Sequence, residues 1–198
     1  MIPAIALPPP SYEQTIEALA TCGVKASNVV ISYADELQSD VVVIRDLGGT
    51  EEARLGCVRR AVHPFYLIEV AATDQRSAYL AYDSRESSRE FRAQALGRLN
   101  SKGMLSRVPH YNPGKELAEF ARAVEAACSV TPETALEAAG PTFLTFRRSY
   151  LEHLVAAVDA GDGSFDCIMD MVAASDAEER GASFGLVGNE GDDPEKQR

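Results

Sequence analysis

The sequence predicts an α+β fold, in which a four-stranded, mostly antiparallel sheet from two hairpins is followed by a helical C-terminal half. In the first half of the chain, short runs of β-branched and aromatic residues alternate with amphipathic segments, which gives the order αββαββ. In the second half, apolar residues recur at every third or fourth position, the period of a helix that packs against a core.

A short internal similarity is the third observation behind this prediction. The stretch TIEALATC, Thr15–Cys22, returns as TEEARLGC, Thr50–Cys57, with four of eight residues identical at an offset of 35. The same offset places helix on helix and hairpin roughly on hairpin. Duplication of an αββ unit explains the match, and so do two amphipathic helices that merely look alike.

The first helix is predicted to begin at Ser11 and to stop at Gly23, a residue suited to a left-handed C-cap. Ser11 and Gln14 have the spacing of a capping box, in which two side chains satisfy free N–H groups. The first hairpin follows, with strands over Asn28–Tyr33 and Val41–Ile44.

A second helix, capped by Thr50 and stopped by Pro64, precedes a second hairpin. Its strands are predicted over Phe65–Ala72 and Ser77–Asp83. Consecutive residues of its first strand are apolar, and side chains along a strand point alternately to the two faces of the sheet. This hairpin therefore carries apolar residues on both faces. We therefore expect the later helices, or another molecule, to cover the face that points away from the core.

The C-terminal half is predicted to hold further helices, with Thr142–Phe146 as a strand or an extended link. The expected helices are Ser87–Gly103, Pro113–Cys128, Thr131–Gly140, a helix from Tyr150 to Gly161, and a short one that carries Phe165 to Val172. We expect three regions: an N-terminal arm over 1–10, a single α+β domain over 11–174, and a disordered acidic tail over 175–198.

The net charge of −11 argues against a nucleic-acid partner, because affinity for phosphate backbones comes largely from Lys and Arg. No apolar run is long enough to span a bilayer. Basic residues nevertheless concentrate between Arg76 and Arg107. Arg85, Arg89 and Arg92, spaced to share a helix face, are candidates for an anion site, and a solvated helix face is the alternative.

The four cysteines lack the spacing of a metal site. In a reducing cytoplasm they would be small buried apolar residues. In an oxidising compartment two would pair, and Cys22, Cys57 and Cys128 are the disulfide candidates, while the connectivity stays open, with Cys167 as the fourth cysteine. We expect a cytoplasmic protein, with export to the periplasm as the alternative because Ala4–Ala6, before a proline run, resembles the end of a signal peptide.

Three stretches resemble functional motifs but lack essential parts. Gly181–Gly185 matches the G-x-S-x-G nucleophile elbow without a flanking strand, a flanking helix or a later histidine. Asp159–Asp170 resembles a calcium loop without its first Asp and last Glu. Asp46–Ala53 lacks the glycine spacing of a nucleotide loop. We therefore predict no catalytic, cofactor-binding or metal-binding residue.

The three histidines, His63, His110 and His153, are each expected to be structural or solvated. A catalytic pair of Cys128 with His110 or His153 stays open, since such pairs meet only in the fold. The leading functional hypothesis is a non-enzymatic binding or interaction module with an unknown protein or small ligand as its partner. The alternatives are a hydrolase with a His/carboxylate or Cys/His site, and an exported module stabilised by disulfides.

Overall fold

A computed structural model describes residues 9–159 and 163–185 of the 198-residue chain. The chain divides into two compact units, Met1–Ser87 and Ser88–Arg198. Each unit builds its own apolar core. Within the described ranges, no helix is both long enough and apolar enough to cross a membrane.

The first unit consists of two helices, a three-stranded sheet and the first part of a long helix. Its elements are α1 (Tyr12–Thr21), β1 (Val29–Ala34), β2 (Ser39–Ile44), α2 (Glu52–Val62), β3 (Leu67–Val70) and the start of α3 (Thr73–Ser101). The sheet order is β1-β2-β3. β1 and β2 are antiparallel, with Val29 opposite Ile44, whereas β2 and β3 are parallel, with Val41 opposite Leu67.

Local sequence explains how this unit starts and closes. The predicted capping box at Ser11 and Gln14 is confirmed, since each residue's side chain accepts a hydrogen bond from the other's backbone N–H. α2 carries the chain from the end of β2 back to the start of β3, which is why β3 can pair in parallel with β2. Leu19, Leu55 and Val58 are buried between the helices and the sheet.

The second unit repeats this arrangement after α3. Its elements are α4 (Leu117–Ala127), β4 (Leu136–Ala138), β5 (Phe143–Phe146), α5 (Arg148–Asp159), α6 (Ser164–Ala174) and β6 (Ser183–Phe184). The sheet order is β4-β5-β6, in which β4 and β5 are antiparallel and β5 and β6 parallel. Both units therefore share the order α-β-β-α-β, and α5 is an insertion between β5 and the second helix.

The two disulfides occupy equivalent places in this repeat. Cys22, the C-cap of α1, is bonded to Cys57 in α2, and Cys128, the C-cap of α4, is bonded to Cys167 in α6. After each capping cysteine the chain adopts a left-handed residue, Gly23 or Ser129. A backbone N–H then returns to the carbonyl five residues earlier in both units, the pattern of a Schellman motif. The cysteine caps thus mark equivalent positions in the two units.

The predicted four-stranded sheet is wrong, because the structure contains two separate three-stranded mixed sheets. The predicted strand Ser77–Asp83 lies inside α3, so the second hairpin does not form. Tyr79 and Tyr82 are buried while Leu80, between them, is exposed, which is the pattern of a helix and not of a strand. Helices are also spread along the chain and are not confined to its C-terminal half.

Two further expectations change with the topology. The matching octapeptides at an offset of 35 are not two copies of an αββ unit, since Cys22 and Cys57 belong to one unit and bond to each other. The helix expected over Thr131–Gly140 is replaced by turns and β4. Here the side chain of Glu125 accepts hydrogen bonds from three backbone N–H groups, and Leu136–Ala138 pairs with β5.

The domain bounds of 11–174, with an arm before and a tail after, stay a prediction. Within the expected tail, residues 175–185 form turns and β6. Residues 186–198 of that tail, and residues 1–8 of the arm, lie outside the part of the chain that the structure describes.

Candidate ligand-binding cleft in the second unit

The second unit contains a cleft of about 730 Å³ beside its disulfide. This volume lies in the range that ligand sites of proteins commonly have, roughly 300–1,000 Å³. The described residues that line it come from the segment after α3, the loop after α4, α5 and the start of α6. They are Lys102, Met104, Arg107, Cys128, Ser129, Val130, Thr131, Thr134, Tyr150, Gly163, Ser164 and Cys167.

The disulfide forms part of the lining of the cleft. Cys128 ends α4 and Cys167 lies in the first turn of α6, so their bond holds the end of one helix against the start of the other. Ile168 and Met171, which follow Cys167 on α6, are fully buried in the core of the unit. The part of the lining that Cys167 forms is therefore continuous with the core of the unit.

Ser129 lines the cleft in a strained backbone conformation. Its φ is +60°, in the left-handed region that residues other than Gly, Asn and Asp rarely adopt. The equivalent residue of the first unit is Gly23, which adopts φ +84° without that cost. Strain of this kind is often found at functional sites, where the side chain is needed in spite of its cost.

A buried carboxylate holds the loop that carries Thr131 and Thr134. Glu125 is fully buried on α4, and its two oxygens accept hydrogen bonds from the N–H groups of Glu133, Ala135 and Leu136 at 2.6, 2.7 and 2.9 Å. Three charge-assisted hydrogen bonds fix this backbone more firmly than neutral ones would. The hydroxyl-bearing wall of the cleft is thus anchored to the core.

The cleft carries positive charge. Lys102 and Arg107 line it, and no carboxylate does so among the described lining residues. The Lys102 ammonium is 3.6 Å from Asp170 Oδ2, but the same carboxylate also binds Arg98, whose Nη2 is 2.7 Å from Oδ1. Arg107 is exposed and has no ion-pair partner in the described part of the chain. The Asp170 carboxylate is thus shared by Arg98 and Lys102, and Arg107 has no carboxylate partner among the described residues.

The hydrogen bond to Asp170 raises the pKa of Arg98, against the smaller effect of burial. Tyr150 and Ser164 also line the cleft, and their hydroxyl oxygens are 2.7 Å apart. Hydroxyls can either donate or accept, so they complement an anionic group on one side and a polar donor on the other. The cleft therefore offers cations and hydroxyls to a ligand, with the disulfide, Met104 and Val130 as its apolar surface.

The predicted anion-site arginines all lie on α3 and outside this cleft. Arg85 Nη2 is 3.4 Å from Glu52 Oε1, and Arg92 is paired with Glu179. An anion bound there would have to compete with these carboxylates. The anion site on Arg85, Arg89 and Arg92 stays a prediction, while the cleft brings together Lys102 and Arg107, two other members of the same basic stretch.

The cysteines and histidines do not form the pairs that the sequence left open. Cys128 is bonded to Cys167, so it has no thiolate to pair with His110 or His153. His110 lies on the surface with Nδ1 at 3.6 Å from Asp176 Oδ2, and His153 contacts the backbone oxygen of Ser149. His63 is the C-cap of α2.

The motif-like stretches also take ordinary structural places. Ser183, at the centre of the G-x-S-x-G match, lies in β6. In the stretch that resembles a calcium loop, Asp166 is exposed on α6, and Asp162 lies outside the described residues. Over residues 9–159 and 163–185, no cluster of three or more His, Cys, Asp or Glu side chains has the arrangement of a metal site.

Sequence reasoning missed the cleft because its residues are scattered over four segments of the chain. The available signals were the two cations at the end of the basic stretch and the run Ser129–Thr134, which follows a cysteine and is rich in hydroxyls. No family model, no curated protein and no solved structure matches this chain. Function is therefore inferred from the geometry and the chemistry of the residues alone.

Proposed function

We propose that this protein is a non-enzymatic binding protein of an oxidising compartment, and that the cleft of the second unit binds a small ligand with an anionic group. The observation that carries the proposal is the lining of the cleft, which combines two cations with five hydroxyl side chains and, among the described residues, no carboxylate. In a chain of net charge −11, such a local excess of positive charge favours an anion at one place.

The disulfides support the choice of compartment. All four cysteines of the chain are bonded, and each bond joins the two helices of one repeat. Disulfides that staple a fold persist in oxidising compartments and are rare in a reducing cytosol. Export is thus preferred over the cytoplasmic location expected from the sequence.

A titration with small anions tests the binding proposal. We would add succinate or inorganic phosphate to ¹⁵N-labelled protein at physiological ionic strength, at which weak attraction to exposed charges is largely screened. We expect saturable amide shifts at Ser129, Val130 and Thr131, and their loss in the double variant Lys102→Ala/Arg107→Ala.

The matched control removes two positive charges elsewhere in the same unit. Lys115 and Arg148 are exposed, do not line the cleft, and each forms an ion pair four residues along its own chain segment, with Glu119 and Glu152. The variant Lys115→Ala/Arg148→Ala should bind as the wild type does. Shifts spread over surface cations, or shifts that survive in Lys102→Ala/Arg107→Ala, would reject the proposed site.

A further inference from the structure

One equivalent position of the two repeats carries a long cationic side chain in the first unit and a short neutral one in the second. In each unit, the residue three places before the second-helix cysteine lies about one helical turn before the disulfide. That residue is Arg54 in the first unit and Ser164 in the second. The comparison of these two side chains indicates which chemical group suits the cleft.

In the first unit, the guanidinium of Arg54 occupies the space after α1. Its Nη1 donates hydrogen bonds to the carbonyl oxygens of Gly23 and Leu47 at 3.2 and 3.0 Å. A Cβ atom on Gly23 would be only 3.0 Å from the same Nη1, which shows how closely the guanidinium is packed there. Glu51 completes the arrangement, with a carboxylate oxygen 3.5 Å from Arg54 Nε.

In the second unit, the same position carries a small side chain. The Ser164 hydroxyl is 2.7 Å from the Tyr150 hydroxyl. Ser129, the equivalent of Gly23, and Ser164, the equivalent of Arg54, both line the cleft. The cleft is therefore bordered by the two positions that correspond to Gly23 and Arg54 in the first unit.

We infer that the ligand of the cleft is a small zwitterion, with an ammonium or guanidinium group as well as an anionic group, as in an amino acid or a guanidino acid. The inference deepens the proposed function and rests on it. The cationic group takes the place of the Arg54 guanidinium at the carbonyl end of α4, where the helix dipole favours positive charge. The anionic group pairs with Lys102 and Arg107, which line the same cleft.

The division of charge in the site explains why both groups are needed. A simple anion would pair with the side chains of Lys102 and Arg107 but would place no donor beside the Ser129 carbonyl, the equivalent of the Gly23 carbonyl that accepts from Arg54 in the first unit. A simple cation could donate to that carbonyl and would be repelled by Lys102 and Arg107. A zwitterion satisfies both ends, so it should bind more tightly than either half alone.

A ligand series on the wild-type protein tests this directly. L-arginine carries both groups, agmatine lacks the carboxylate, and propionate lacks the cationic group. In calorimetric or NMR titrations we expect L-arginine to bind at least tenfold more tightly than agmatine and at least tenfold more tightly than propionate. Equal affinity of L-arginine with either partial analogue would overturn the inference.

A variant that copies the first unit provides an independent test. Ser164→Arg should place a guanidinium in the cleft, as Arg54 does in the first unit, and should reduce L-arginine affinity by tenfold or more. Ser149→Arg makes the same chemical change at an exposed position outside the lining, and should leave the affinity unchanged. If Ser164→Arg fails to fold, the wild-type ligand series still decides.

The two levels of the proposal fail in different ways. If succinate or phosphate binds in the cleft but L-arginine binds no more tightly than propionate, the zwitterion inference is wrong and the anion-binding proposal stands. If the cleft residues respond neither to the anions nor to L-arginine, both are wrong.

Discussion

Removal of the Glu125 carboxylate should be among the most damaging single changes in the second unit. Its side chain is the acceptor for the N–H groups of Glu133, Ala135 and Leu136. Glu125→Ala leaves these three donors without that acceptor. At about 1 kcal/mol for each donor, the low end of the usual cost, the free energy of unfolding should fall by about 3 kcal/mol.

Glu125→Gln keeps the size of the side chain and changes only its hydrogen bonds, so it separates the loss of hydrogen bonds from the loss of packing. Its one carbonyl oxygen can accept from Ala135 and Leu136, as Oε1 does now, so only the bond from Glu133 is lost. The expected loss is about 1 kcal/mol. Equilibrium urea unfolding, followed by far-UV circular dichroism, measures both values.

The control for this series is Glu119→Ala. Glu119 lies on the same helix, is exposed and has Lys115 as its ion-pair partner at 2.9 Å. Exposed ion pairs contribute little, so this variant should stay within about 0.5 kcal/mol of the wild type. If Glu125→Ala were as mild as Glu119→Ala, the carboxylate would not be the anchor of the loop.

Three other changes test separate features of the second unit. Replacing the pair Cys128 and Cys167 by alanine opens a cross-link with a sequence separation of 39 and should cost about 4 kcal/mol by chain entropy, measured by urea unfolding; a loss under 1 kcal/mol would contradict it. Ser129→Gly should increase the free energy of unfolding by about 0.5–1 kcal/mol and raise the melting temperature, because glycine adopts the left-handed backbone conformation without strain. A lower melting temperature would show that Ser129 is not strained. Burial raises the pKa of Asp176, but the hydrogen bond from the Tyr111 N–H and the charge of Arg180 outweigh it and lower that pKa below its ordinary 3.8. Asp176→Asn should therefore be less stable than the wild type at neutral pH, and the gap should close as pH falls below about 4, whereas a gap that is constant with pH would contradict the assignment.

Elements set by local sequence were predictable. The capping box at Ser11, the first hairpin and the strong periodicity of α4 all appear in the structure because neighbouring residues decide them. The stretch Ser77–Asp83 was harder, since its aromatic residues suit a strand, while its spacing of Tyr79 and Tyr82 also suits a helix. In the structure, Ser77–Asp83 lies near the start of α3, a helix of 29 residues.

Long-range contacts account for the rest. Nothing local in Thr131–Gly140 shows that Glu125 will accept its N–H groups, and these hydrogen bonds favour an extended segment over the predicted helix. The parallel pairing of β3 with β2 likewise depends on α2 as a crossover and not on a turn. The cleft was beyond prediction for the same reason, because Arg107, Ser129 and Ser164 meet only after folding.

The pattern of disulfides is the most direct test of the claim that two disulfide-linked repeats build this protein. Mass spectrometry of peptides from the native, unreduced protein, taken from its own host, should find Cys22 linked to Cys57 and Cys128 linked to Cys167, with no free thiol. Four free cysteines, or links between the first pair and the second, would contradict both the repeat and the oxidising compartment.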